Sequence, residues 1–399
     1  MGACEVREAA EFSTIPHLDP DQGWCHCQPL LPSRPLGHSS SEPPPYTPWY
    51  ALAYKMAGAE FQRLPLLTQT AYARLLDLLL TTEAGGSADG SLVSKTIRGR
   101  RYWYVQRQGG GKKVQSYIGP ETPEVLAIVE RWRRQRGEAA SRFEIIAMAR
   151  AGGAPVLGAA EAQVLERLSP VFRVGGVLVG SHAFAVIGNS LGVKWRDAIA
   201  RTEDVDIAHD YRIAVALAQG GRPADVRQVL GDPLPRFSVL SPTHAATAFR
   251  VRGTDIEVEL LTPMIGKETR KPIQIPVLGV AATPLRFLDY LIEDTQPGAV
   301  LGGSGVLVNV PRPGRFALHK LIVASRRGAR SSAHGKAPKD RAQASALLHV
   351  LIEDLPGEIT LAWKELCRRG KAWKTAASIS LRLLDPDLVA RLLRLGVRD

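Results

Sequence analysis

Two short stretches alternate acidic and apolar residues: Asp204-Val205-Asp206-Ile207 and Ile256-Glu257-Val258-Glu259-Leu260-Leu261. Successive side chains of a strand point to opposite faces, so each stretch, as a strand, gathers its carboxylates on one face and its apolar residues on the other. Two carboxylates that close repel one another unless a cation sits between them. Mg²⁺ suits such a pair, because it takes a few carboxylates and keeps positions for phosphate oxygens. A second acidic strand beside the first would complete a two-metal site and help to deprotonate an attacking hydroxyl. Plainer readings fit the same residues. A solvent-facing edge strand accounts for the first stretch. Ion pairs to Arg250 or Arg252 on a paired strand account for the second, and spacing does not separate Glu257 from Glu259.

Upstream, the β-branched run at 171–179 is expected to be a strand that enters Gly180-Ser181 and then an apolar helix from His182 to about Leu191. Glycine lets backbone approach a ligand closely, and a helix N-terminus offers unpaired N–H groups to a phosphate. Ser181 can cap the helix and donate to a phosphate oxygen. A Gly-Ser junction also serves as a plain helix cap. His182 either reaches this site or packs inside the helix.

Composition bounds the rest. The 399 residues, with 51 Lys+Arg against 39 Asp+Glu and a net charge of +12, suggest two or three domains and polyanionic partners. Residues 1–50 carry two basic and six acidic residues with nine of the 28 prolines, which reads as a disordered tail. Residues 51–150 form a basic module: a helix at 66–83, a β-hairpin whose arms include Tyr102-Trp103-Tyr104-Val105 and 113–118 around Gly109-Gly110-Gly111, and a helix from Pro123 to about Gln135. A linker at 151–155 leads to a core at 156–283, with further strands expected at 205–208, 237–240, 249–251, 256–261 and 273–278. Helices at 316–327, 338–353, 358–369 and 375–396 fill a C-terminal region, 284–399. The fold class is α+β, a mixed sheet with a helical C-terminal region.

Cys4, Cys25, Cys27 and Cys367 are too few and scattered for a disulfide framework, and a reducing, cytoplasmic location fits them. No run of about 18 apolar residues exists to span a membrane, and no secretory signal is visible. Cys25-His26-Cys27 lacks the distant second pair that tetrahedral zinc requires. Gly302-Gly303-Ser304-Gly305 reads as a turn rather than a phosphate loop.

Taken in order, Val177-Leu178-Val179-Gly180-Ser181, Asp204-Val205-Asp206 and Glu259 between Val258 and Leu260 resemble the DNA polymerase β-like nucleotidyltransferase superfamily. More narrowly, Gly180-Ser181-His182-Ala183-Phe184, Arg201-Thr202-Glu203-Asp204-Val205-Asp206 and Glu259-Leu260-Leu261-Thr262-Pro263 are similar to a bacterial family of nucleotidyltransferase-fold proteins of uncharacterised activity. The likeness extends to the basic stretch at 102–120, and so covers the chain from about residue 50 onwards. Two departures stand out: 22 residues separate Ser181 from Asp204, with 192–201 inserted, and the third acid is Glu rather than the commoner Asp.

The resemblance implies a mixed-sheet nucleotidyltransferase core and transfer of a nucleoside monophosphate from an NTP to a hydroxyl, with release of pyrophosphate. It implies two Mg²⁺ ions on Asp204, Asp206 and Glu259, and a triphosphate cradled by Gly180 and Ser181. Residues 310–341 hold nine basic residues and one acid, Asp340, and the resemblance makes Lys320 the candidate to meet the triphosphate. Lys339-Asp340-Arg341 resembles the charged helix start that follows in such proteins. Arg98, Arg100, Arg101, Arg107, Lys112 and Lys113, interleaved with Tyr102, Trp103, Tyr104 and Tyr117, suggest nucleic-acid contact at 95–118. The alternative is a nucleotidyltransferase-like fold without turnover, holding nucleic acid or a partner, as in toxin–antitoxin or defence systems. Oligomeric state is not legible.

Overall fold

The computed structural model describes residues 61–82, 91–109, 112–197, 204–212, 224–231, 234–236, 246–328 and 336–398. The tail at 1–50 with Cys25-His26-Cys27, and the expected strand at 237–240, lie outside them. Strands are β1 (Phe61–Arg63), β2 (Ser91–Ile97), β3 (Arg100–Gly109), β4 (Lys112–Pro120), β5 (Val177–Leu178), β6 (Val193–Trp195) and β7 (Asp204–Ala208). They continue as β8 (Leu234–Arg236), β9 (Ala248–Arg250), β10 (Glu257–Pro263), β11 (Ile273–Ile275), β12 (Val280–Leu285), β13 (Thr295–Val300) and β14 (Val306–Pro311). With the helices between and after them, the fold is α+β, as expected.

The main sheet runs β11-β12-β10-β7-β5, with β9 and then β8 extending from β10. β7 and β12 run parallel to β10, whereas β5, β9 and β11 pair antiparallel with their neighbours, so the sheet is mixed. Only Val177 and Leu178 of the expected strand at 171–179 pair in it. Residues Ser169–Arg173 are helical instead, with Pro170 in the first turn and a left-handed turn at Gly175 (φ 95°). Val171 and Phe172 bury their side chains either way, and that burial outweighs β-propensity. The expected strand at 273–278 stops at Ile275, because Pro276 has no N–H for a ladder and opens a 3₁₀ turn.

Val193–Trp195 form β6, which pairs antiparallel with β1. Trp195 stacks on Phe184 at 4.4 Å and donates its Nε1 to the Phe184 carbonyl at 2.7 Å. A Cβ on Gly188 would overlap that indole, so the glycine admits the tryptophan. β6 thus ties β1 to the core.

In the basic module, the expected hairpin is joined by a third strand that the sequence reading missed, giving the antiparallel order β2-β3-β4. The helix expected to end near Gln135 continues to Ala151, through Gly137. A mid-helix glycine costs about 1 kcal/mol. Ile146 and Ala149 offset it by packing with Leu75 and Leu79 of the helix Leu66–Thr82, in a cluster that also takes in Ala299 and Leu301.

A second departure lies in the C-terminal region, expected to be helical from residue 284. After the end of β12 and a short helix at Leu288–Ile292 it forms a β13–β14 hairpin, with Val306, Val308 and Val310 buried on alternate positions and the Gly302–Gly305 segment turning the chain. Helices follow at Pro313–Gly328, Lys336–Asp354, Pro356–Arg368, Lys371–Leu381 and Pro386–Arg394. The last two replace one expected helix, because Asp385 accepts the N–H groups of Asp387 and Leu388 and starts a new one at Pro386. A single buried cluster runs from Val164 through Val397, so these helices share the sheet's core. Among the described residues, no helix is long and apolar enough to cross a membrane.

Candidate active site

Parallel pairing of β7 with β10 sets Asp204 opposite Glu257 and Asp206 opposite Glu259. All four acids therefore share one face, while Val205, Ile207, Val258 and Leu260 are fully buried on the other. Beyond β10, β9 places Arg250 opposite Glu257 and Ala248 opposite Glu259. The two glutamates, equivalent in sequence, thus differ in register: one faces an arginine position, the other an alanine. Asp204 is exposed and Asp206 half-buried.

β5 delivers the glycine to this face. The Val179 N–H donates to the Asp206 carbonyl at 3.0 Å, and the helix Gly180–Ser190 starts at the next residue. Gly180 has φ 68°, and a Cβ there would overlap the Asp206 carboxylate, so only glycine fits on both counts. The helix cap differs from the expectation. Val179 is the N-cap and offers no side-chain acceptor, whereas Ser181 sits inside the first turn, its Oγ 3.5 Å from Gln343 Nε2. A helix start without a side-chain cap keeps its N–H groups for another acceptor.

His182 is buried and braces the acidic strand from behind. Its Nδ1 lies 3.0 Å from the Asp204 carbonyl oxygen and its Nε2 lies 3.8 Å from Glu161 Oε1. Both readings of His182 are thus met in one side chain, which packs in the helix and touches the site through backbone.

Crowding shows in the electrostatics. Burial, then Asp206, Glu257 and Asp204, push the Glu259 carboxyl from 4.5 up to about 7. Burial and the Asp204 charge raise Asp206 too, against the pull of Lys320, His182 and Lys336. Among the described residues, no three His, Cys, Asp or Glu side chains form a ready-made metal cage. The donor set nevertheless fits Mg²⁺, which is held by one or two carboxylates plus substrate phosphates rather than by an all-protein cage. Raised carboxyls on adjacent strands are what a divalent ion relieves.

A cavity of about 530 Å³ continues from the acids along the same face, floored by Asp206, Leu261, Thr283 and Leu285, the last three aligned by β10–β12 register. Gly180 and Lys320 line it with Arg270, Arg286, Arg326 and Arg327, while Ser181, Asp204 and Glu259 lie outside its walls. The size suits a small molecule of nucleotide class. Lys320 Nζ donates to Asp340 Oδ1 at 2.9 Å, and Arg327 also pairs with Asp340. His319, buried beside Lys320, is pushed down to about 3 and stays neutral. Sequence reasoning left Glu161 and Lys336 without a role, and took Asp340 only as part of a charged helix start rather than as the partner of Lys320. Asp340 had a signal, as the lone acid in a basic stretch; Glu161 had none.

A family model described as nucleotidyltransferase matches residues 160–368, more than half of the chain and the whole of this site. A second, a domain of unknown function (DUF6788), matches residues 67–127, from the helix Leu66–Thr82 through the three-stranded sheet. No curated protein and no solved structure matches.

Proposed function

The chain belongs to the nucleotidyltransferase family, and on that premise we propose that it moves a nucleoside monophosphate from an NTP to a hydroxyl acceptor, releasing pyrophosphate, in the manner of the DNA polymerase β-like enzymes. The supporting observation is the β7–β10 register, which aligns Asp206 with Glu259 beside Gly180 at the mouth of a basic-lined cavity.

In this reading the triphosphate lies in the cavity, its negative charge met by Lys320, Arg286 and Arg327, with the N–H groups of the helix Gly180–Ser190 and the Ser181 hydroxyl at its edge. Asp204, Asp206 and Glu259 would hold the metal, and Mg²⁺, as two ions, would supply charge neutralisation for the transfer. The acceptor oxygen bonds to the α-phosphorus as the bond to the bridging oxygen breaks. Glu259, opposite Asp206 across the paired strands, stands beside the metal-holding acids where it would help to deprotonate the hydroxyl. Asp340 holds Lys320 in place. The acceptor is an RNA, a protein side chain or a small molecule.

Incubation of the wild type and an Asp204→Ala/Asp206→Ala variant with each α-labelled NTP, Mg²⁺ and total RNA or lysate tests the reading. Label transfer by the wild type alone supports it, with loss in the variant of roughly 10³-fold or more. The turnover-free alternative draws support from Lys320 already being paired with Asp340. A wild type that binds neither NTP nor Mg²⁺ would overturn the transfer reading and favour that alternative.

A further inference from the structure

The three-stranded sheet of the basic module has two unlike faces. Trp103 turns inward onto Val125 and Val129 of the helix Pro123–Ala151, and its Nε1 donates to Glu121 at 3.0 Å. Tyr102 and Tyr104, one residue either side, turn outward. A register shift between Trp103 and Tyr104 brings Tyr117 of β4 opposite Tyr104. The three tyrosines form one strip, with Tyr117 5.4 Å from Tyr104 and 6.3 Å from Tyr102, ring to ring. Tyr117 is 58% exposed. The inward helix contact already supplies this sheet's core, so packing does not require the outward rings.

Charge on this face is of one sign. Residues 91–120 contain seven basic residues and no acid. Lys95 reaches from β2 across the Tyr104 ring, 5.0 Å from its centre, to Gln115 Oε1 at 2.6 Å. Gln115 in turn donates to Gln106 Oε1 at 2.8 Å. Pairing places Lys95 opposite Tyr102, and Lys113 two residues before Gln115 on the same side of β4. One largely exposed ring, two partly exposed ones, amide groups and cations together match a ligand with planar bases on a polyanionic backbone.

We propose that the outer face of β2-β3-β4 binds single-stranded nucleic acid, with bases stacked on Tyr102, Tyr104 and Tyr117 and phosphates met by Lys95, Arg100 and Lys113. A duplex keeps its base faces inside the stack and cannot use the tyrosines. The inference concerns a sheet apart from the carboxylate site, so it stands or falls without the transfer reaction.

Fluorescence anisotropy of the full chain, without NTP or Mg²⁺, tests it with labelled U12, dT12 and a 12-base-pair duplex at 50 mM salt. The expected result is binding of a single strand at least ten times tighter than of the duplex, with U12 against dT12 deciding between RNA and DNA. Tyr117→Ala and Tyr104→Ala should each weaken binding by about 5- to 150-fold, while Tyr117→Phe stays within about twofold. Lys95→Gln with Lys113→Gln should flatten the salt dependence, by about one unit of slope or more. Wild-type protein cross-linked to a 5-iodouridine oligonucleotide gives a readout that needs no folded variant, and the cross-links should map to Tyr102, Tyr104 or Tyr117. No binding at 50 mM salt, equal binding of duplex, or cross-links confined to the Lys320 cavity would each overturn the proposal.

Discussion

The two sheets of this protein use the same strand alternation to opposite ends. In the main sheet the polar face carries four carboxylates beside a helix-lined cavity, and two of them, Asp206 and Glu259, are raised by burial and mutual repulsion. In the small sheet the outer face carries tyrosines, one of them largely open to solvent, with no acid between residues 91 and 120. One face stores electrostatic cost that a cation relieves. The other presents cations and rings to solvent. Chemistry needs the first arrangement, because perturbed groups are the reactive ones; binding of an extended polyanion needs only the second.

That contrast can be broken at three points. The largest effect is expected from pH. Glu259 has a folded-state pKa raised from 4.5 to about 7, so the native state holds its proton between those values and the unfolded chain does not. Stability therefore falls as pH rises through that window, by up to about 3 kcal/mol. Denaturant melts between pH 4.5 and 8 should show the decline in the wild type and its loss in Glu259→Gln. Mg²⁺ should restore stability at pH 8 and do little at pH 5. The small sheet, with no acid at 91–120, contributes nothing to this slope.

Gly180→Ala comes next. The added Cβ meets the Asp206 carboxylate in a left-handed backbone, with a cost of about 1–3 kcal/mol. Thermal melting should register that cost, and label transfer should fall by roughly 100-fold as the acid is displaced. Unchanged transfer would show that Asp206 need not lie against Gly180.

The smallest effect should follow His182→Asn, which removes the brace between Glu161 and the Asp204 carbonyl. A loss of about 1 kcal/mol is expected. If the histidine positions Asp204 rather than merely packing, the variant should also need more Mg²⁺ for half-maximal transfer, and Glu161→Gln should shift that requirement in the same direction.

Much of the site was legible before folding, because its signals are local. The acid–apolar alternation at 204–207 and 256–261 needs only the two-residue period of a strand, and the Gly-Ser junction needs only the start of a helix. The fold brings those three pieces to one face of the main sheet. Elements whose identity depends on distant partners were misread. Val171 and Phe172 have strand propensity, yet Pro170 and Gly175 make them helical and the core accepts them that way. The helix through Gly137 survives because a second helix packs on its far end. The β13–β14 hairpin hides among helices because alternation over six residues is short and its valines resemble a helix core.

Residue type and spacing were enough to place carboxylates on strands, a glycine before a helix, and aromatic and basic residues on a hairpin. Which strands became neighbours was decided only in three dimensions. Pairing of β9 with β10 separated Glu257, opposite Arg250, from Glu259, opposite Ala248. Packing also brought Asp340 to Lys320, and Glu161 to His182, across gaps that no local pattern spans. In the small sheet, the shift beside Trp103 set Tyr117 against Tyr104. Alternation fixes the face on which a side chain emerges, but register fixes what it meets there, and register is set by cores that form between segments far apart in the chain.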